Sequence, residues 1–101
     1  MKIVAVTACV TGVAHTYIAA EVLERYAGAN GIDIKVETQG AMGIENSIKL
    51  KDVKDSDAVI LTNDVEIKGM DRFKGKIIFR FSSNEIVRRG DEILKKVKSC
   101  L

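Results

Sequence analysis

The segment Cys9-Val10-Thr11-Gly12-Val13-Ala14-His15-Thr16 gathers a thiol, two hydroxyls, a glycine and the chain's single histidine. It follows a short apolar run and precedes a stretch of helical spacing, so it reads as a strand-to-helix loop. Backbone N–H groups at a helix start have no intrahelical acceptor, and the helix dipole is positive there, which makes the position an anion site. The same field stabilises a thiolate, so Cys9 is expected to be nucleophilic. Gly12 lets the backbone fold closely around a tetrahedral anion, and Thr11 and Thr16 add hydroxyl donors. A nucleophile and an anion cradle in one loop suit a phosphoryl group carried on sulfur. The loop lacks the Gly-Lys-[Ser/Thr] of a Walker motif and the GxGxxG of a dinucleotide site.

Strands and helices must alternate to hold such a loop. Residues 2–8 form a β-branched run that predicts a buried first strand. Residues 12–27 carry an apolar stripe of Val13, Tyr17, Ala20, Leu23 and Ala27, with Glu21, Glu24 and Arg25 facing solvent; the glycines at 28 and 31 end this helix. Residues 32–38 alternate Ile32, Ile34 and Val36 with Asp33, Lys35 and Glu37, the pattern of a half-exposed edge strand. Residues 39–43 read as a loop, 50–56 as a short helix, 57–62 as a third, buried strand and 77–81 as a fourth. Residues 71–74 suggest one helical turn. Ser82-x-x-Glu85 is a capping box that opens the last helix, which Gly90 kinks or splits.

This alternation implies right-handed crossovers and an α/β fold: an open parallel four-stranded sheet of order 2-1-3-4, flavodoxin- or Rossmann-like, with helices on both faces. Ligands of such sheets bind beyond the carboxyl ends of the strands, where the order reverses. That edge carries residues 9–16, 39–43 and 62–64. Gln39 and Asp64 are therefore candidate accessory residues.

Length and charge narrow the function classes. The 101 residues fit one domain, 47% are apolar, and the 30% that are charged nearly balance at net +2. A nucleic-acid binder would need clustered cations, which are absent. No apolar run reaches the roughly 18 residues needed to span a bilayer, and the short apolar run at residues 3–6 is not expected to be a signal peptide. Cys9 and Cys100, with no CxxC pair and one histidine, do not compose a metal site, and no cofactor is expected.

Cys9-x-Thr11-Gly12-x-Ala14-His15-Thr16 followed by Ala19-Ala20-Glu21 resembles the signature of the fructose-type IIB component of the bacterial phosphoenolpyruvate-dependent sugar phosphotransferase system. So do Val36-Glu37-Thr38-Gln39-Gly40 with Gly43-Ile44-Glu45-Asn46, and Asp71-Arg72-Phe73 with Gly75-Lys76. The resemblance implies that Cys9 accepts phosphate from a phosphohistidine of the IIA component. It then donates to sugar, fructose first among the candidates, bound in the membrane IIC component. It further implies a cytoplasmic protein docking on the inner membrane face through IIC, with residues 10–16 as the phosphate loop and His15 as a phosphate-contacting donor. Val10 stands where the family usually has proline, which frees the loop slightly and restores one N–H. Because the chain starts at its first strand and stops after its last helix, a separate polypeptide is expected.

Other residues have plainer readings. Tyr17 reads as core, Arg72 as half of a surface salt bridge, and Cys100 as a bystander. The strongest rival function is a phosphatase of the low-molecular-weight tyrosine phosphatase type, whose Cys-x5-Arg-[Ser/Thr] loop Cys9-x5-His15-Thr16 parallels. Imidazole cannot replace the bidentate guanidinium fork of that loop, and no carboxylate is evident in the sequence to serve the leaving group or water. A regulatory flavodoxin-like module would show an acidic pair after strand 1, and none is present.

Overall fold

Two strands of continuous apolar sequence form the centre of the sheet. In the computed structural model, which describes residues 1–9 and 13–101 (the side chain of Val13 excepted), these are β1 (Lys2–Thr7) and β4 (Ala58–Thr62). Residues 3–6 and 58–61 are completely buried, as expected of parallel strands covered on both faces. Ile3 lies opposite both Ala58 and Ile34, the latter on β2 (Asp33–Gly40). β5 (Ile78–Phe81) pairs with the far side of β4, again in parallel. The four parallel strands therefore run β2-β1-β4-β5, the 2-1-3-4 order expected.

A fifth strand, β3 (Gly43–Glu45), adds antiparallel to β2 at the sheet's edge. It corrects two expectations: residues 39–43 are not all loop, and β2 is not an edge. Chain reversal at Ala41 and Met42 brings Gly43 back opposite Gly40. All of β3 is exposed, so no core face announces it in the sequence.

α1 (Val13–Ala29) and α3 (Ser83–Ser99) cover one face, packing Ala19, Leu23, Ile86 and Leu94 on Ala5 and Ile60. α2 (Leu50–Asp55) and a 3-10 turn (Met70–Phe73) cover the other, where Phe73 and Ile48 close over Val4, Val59 and Leu61. Burying Phe73 alone contributes about 2–3 kcal/mol. The Ser82–Glu85 capping box forms as expected, with the Ser82 hydroxyl accepting from the Glu85 N–H at 3.0 Å. The kink in α3 falls at Arg89 (φ −134°, ψ 30°), next to the expected Gly90. Gly90 is fully covered by α1: a Cβ there would sit 2.3 Å from Val22 Cγ1.

Candidate active site

The site begins where β1 ends. Thr62, the last residue of β4, donates its hydroxyl to the Ala8 carbonyl at 3.0 Å and accepts from the Ala8 N–H at 2.9 Å. The Thr7 hydroxyl donates to the Thr16 carbonyl at 3.0 Å, tying the strand to the first turn of α1. These three threonines fix the two ends of the segment that leads from Cys9 into α1. Cys9 itself is half-buried, neither sealed in the core nor fully in solvent.

His15 follows in the first turn of α1, with Nδ1 3.7 Å from Cys9 Sγ. The thiol donates to Nδ1 in one tautomer, and Nδ1–H donates to a thiolate in the other. Val10, Thr11 and Gly12, the cradle residues, lie outside the described residues, as does the Val13 side chain. Ala14 is exposed; Thr16 is fully buried, its hydroxyl without a partner among the described residues.

Asp64, two residues beyond β4, joins this pair. The Ser83 N–H donates to its carboxylate at 3.0 Å, and the Ser83 hydroxyl donates as well, so the first residue of α3 anchors it. Burial pushes the Asp64 carboxyl up. The Ser83 hydroxyl and N–H, the Cys9 thiol that bonds it and the nearby His15 ring together outweigh burial and hold it below its ordinary value. A carboxylate therefore stands beside the thiol, contrary to the expectation that none was evident.

Gln39 does not join them. Its amide donates to Glu37 Oε2 at 2.8 Å and to the Lys68 carbonyl at 2.9 Å, while its carbonyl accepts from the Lys68 N–H at 2.9 Å. It fastens the loop after β4 to the end of β2. Arg72 is likewise not half of a surface pair. Its fork grips Glu37 at 2.6 and 3.0 Å, and Glu37 is completely buried despite its polar position in the alternation. Burial pushes the Glu37 carboxyl up, but the Arg72 fork, the Gln39 amide and the Ile48 N–H outweigh it and hold it low. Arg72 Nε also donates to the Gly69 carbonyl at 2.8 Å, from a left-handed residue (φ 77°) that only glycine adopts cheaply. Tyr17, expected in the core, is half-exposed and donates to Glu45 Oε1 at 2.8 Å.

The fold and a half-buried cysteine opening a helix after the central strand can be compared with known proteins. The family described as "PTS system, Lactose/Cellobiose specific IIB subunit" matches residues 4–96. "PTS system fructose-like EIIB component 2" of Escherichia coli (strain K12) is 52% identical over 100 residues, covering 99% of this chain and 94% of that protein.

The chain belongs to the fructose-type IIB family of the sugar phosphotransferase system.

The family description names lactose and cellobiose, whereas this relative is named fructose-like, so the description marks the broader family and the relative its branch. A "PTS system fructose-specific EIIABC component" of Bacillus subtilis is 41% identical over 95 residues, 94% of this chain but 15% of that protein. A crystal structure of a domain from the fructose-specific IIABC component of Borrelia burgdorferi superposes with a TM-score of 0.88 at 45% identity, covering 94% of this chain and 90% of that one. An archaeal flavodoxin superposes at a TM-score of 0.60 with 17% identity, which supports the flavodoxin-like fold alone. Membership gives the IIB chain a phosphotransferase role in sugar transport. Among the described residues no helix is long and apolar enough to cross a membrane, and no cluster of acidic, histidine or cysteine side chains could hold a metal ion.

Proposed function

We propose that Cys9 is the phosphorylated residue, receiving its phosphoryl group from a IIA phosphohistidine and passing it to sugar, fructose first among the candidates, held by the membrane component IIC. The observation that supports this is the half-buried Cys9 after the central strand, its sulfur 3.7 Å from His15 Nδ1. In the first transfer the Cys9 thiolate attacks phosphorus, the P–N bond breaks, and the IIA imidazole keeps the electron pair and takes a proton. In the second, a sugar hydroxyl oxygen attacks, the P–S bond breaks and Cys9 leaves as thiolate, the hydroxyl proton passing to a base. Residues 10–16 hold the phosphoryl oxygens, with His15 as a donor. The chain works at the inner face of the membrane, where IIC presents the sugar.

Asp64 gives the phosphatase reading its one specific support, because that chemistry also uses a carboxylate near phosphocysteine. The Ser83 groups and its neighbours keep Asp64 ionised, however, so it has no proton to give a leaving alcohol at neutral pH. The guanidinium fork that clamps the transferring group is also missing, since His15 occupies its place. Phosphorylated protein incubated without IIC should therefore keep its phosphoryl group over many minutes, and p-nitrophenyl phosphate should not be turned over. Rapid hydrolysis of that ester, lost in Cys9→Ser, would replace the carrier with a phosphatase.

A fixed carboxylate beside a phosphoryl dianion also raises its free energy, keeping the group ready to leave. Asp64→Asn should shift the equilibrium between phospho-IIA and phospho-Cys9 toward Cys9 by roughly tenfold, the size of one partly screened charge contact. Quantifying both phosphoproteins at equilibrium gives the ratio; an unchanged ratio would mean that Asp64 does not feel the phosphoryl group.

A further inference from the structure

Between α1 and the β2–β3 hairpin lies a cleft of about 220 Å³. Glu21 and Glu24 border it from α1, Glu45 and Asn46 from β3 and the residue after it, and Thr38 from β2. Among the described residues no lysine or arginine lies within ion-pair distance of any of the three carboxylates; the ion pairs present involve Asp52, Glu37 and Asp91. Among the described residues Glu45 accepts only from the Tyr17 phenol, whose pKa it raises chiefly through that hydrogen bond.

Thr38 supplies the second, independent observation. It is 5% exposed, and its hydroxyl has no hydrogen-bond partner among the described residues. Strand alternation puts its side chain on the face shared with Ile34 and Val36, which pack toward α1 and α3, so the hydroxyl lies on the cleft's side of the sheet. A buried hydroxyl left unsatisfied costs on the order of 1–3 kcal/mol, a cost that a donor entering the cleft removes.

The complementary ligand carries positive charge and several N–H donors. The carboxylates do not converge as metal ligands would, and among the described residues none forms a metal-holding cluster. A guanidinium group fits better. Its planar fork can span separated carboxylates while one N–H reaches a hydroxyl acceptor, and the Tyr17 ring beside it offers a π face. We propose that this cleft receives an arginine side chain from a protein docking over the carboxyl edge of the sheet, where β2 ends and β3 begins. The inference goes beyond phosphoryl transfer and does not depend on it.

The test is a titration of the unphosphorylated full chain, followed by amide NMR at low salt, with the capped peptide acetyl-Gly-Arg-Gly-amide. The matching lysine and glutamine peptides and Mg²⁺ serve as comparisons. Saturable millimolar shifts at Glu21, Thr38 and Glu45 are expected for the arginine peptide, weaker for lysine and absent for glutamine. Thr38→Val removes only the unpartnered hydroxyl, so it should melt at or above the wild-type temperature while binding the arginine peptide about fivefold more weakly. Glu21→Gln combined with Glu24→Gln should abolish the shifts. No saturable shift, equal shifts with lysine or Mg²⁺, or undiminished binding in Thr38→Val would overturn the proposal.

Discussion

Cys9→Ser is expected to lose all phosphorylation by phospho-IIA, while Cys100→Ser gains one phosphoryl group as wild type does. The two cysteines differ by place in the fold. Cys9 ends the segment that follows β1, at the carboxyl edge of the sheet. α3 starts at that same edge and runs back across the sheet, and near its end Lys98 donates to the Asn30 carbonyl after α1, so Cys100 finishes at the opposite rim. Serine is close to cysteine in shape, so docking of IIA should survive the change. Its hydroxyl ionises far less readily than a thiol, and an alkoxide is a much poorer leaving group from phosphorus than a thiolate, so even with His15 and Asp64 beside it serine cannot carry the group onward. Intact-mass and peptide mapping after incubation with phospho-IIA read the result. A phosphoryl group found on His15, or retained in Cys9→Ser, would remove Cys9 from the mechanism.

Arg72→Ala should destabilise the fold by about 3 kcal/mol, because it strands a buried carboxylate. For a domain of this size that corresponds to roughly 10–20 °C in melting temperature. Among the described residues Glu37 would keep only Gln39 and the Ile48 N–H as partners, and the carbonyls of Ile48, Lys68 and Gly69 would lose a common donor. The pair also predicts acid behaviour. Glu37 releases its proton more easily folded than unfolded, where its ordinary value is 4.5. Its stabilisation is therefore complete above that value and disappears as pH falls through the lower, folded value. Chemical denaturation from pH 7 downward should show wild type losing stability below about pH 4.5, more steeply than Glu37→Gln. A loss under about 1 kcal/mol in Arg72→Ala would show that water reaches Glu37 in the folded state.

The alternation of strand and helix was readable because β1 and β4 each carry an unbroken apolar run of four residues and α3 begins with a capping box. Three features were not. β3 presents only exposed residues, so it has no periodicity to betray it. Glu37 occupies the polar phase of an alternating strand, and nothing local reveals that Arg72, 35 residues later, neutralises it in the interior. Tyr17 lies on the apolar stripe of α1, yet its phenol reaches out to Glu45 because β3 adds a carboxylate just there. At the site, the order of the strands placed Cys9, His15 and Asp64 on one edge, which the sequence could show. That Asp64 touches the thiol while Gln39 turns away depends on which neighbours have spare donors: Ser83 at the start of α3 for the first, Lys68 for the second.

Gly90 has a consequence for anyone wishing to make this protein hardier. Helix propensity recommends replacing a mid-helix glycine with alanine for a gain of up to about 1 kcal/mol. Here the missing methyl is what lets two helices touch, since the added carbon would overlap Val22. Thermostabilising libraries that score positions by local preference will keep nominating this site, and should keep failing at it. The productive route is a paired change that trims Val22 as Gly90 grows, so that the seam between the helices is redrawn from both sides at once.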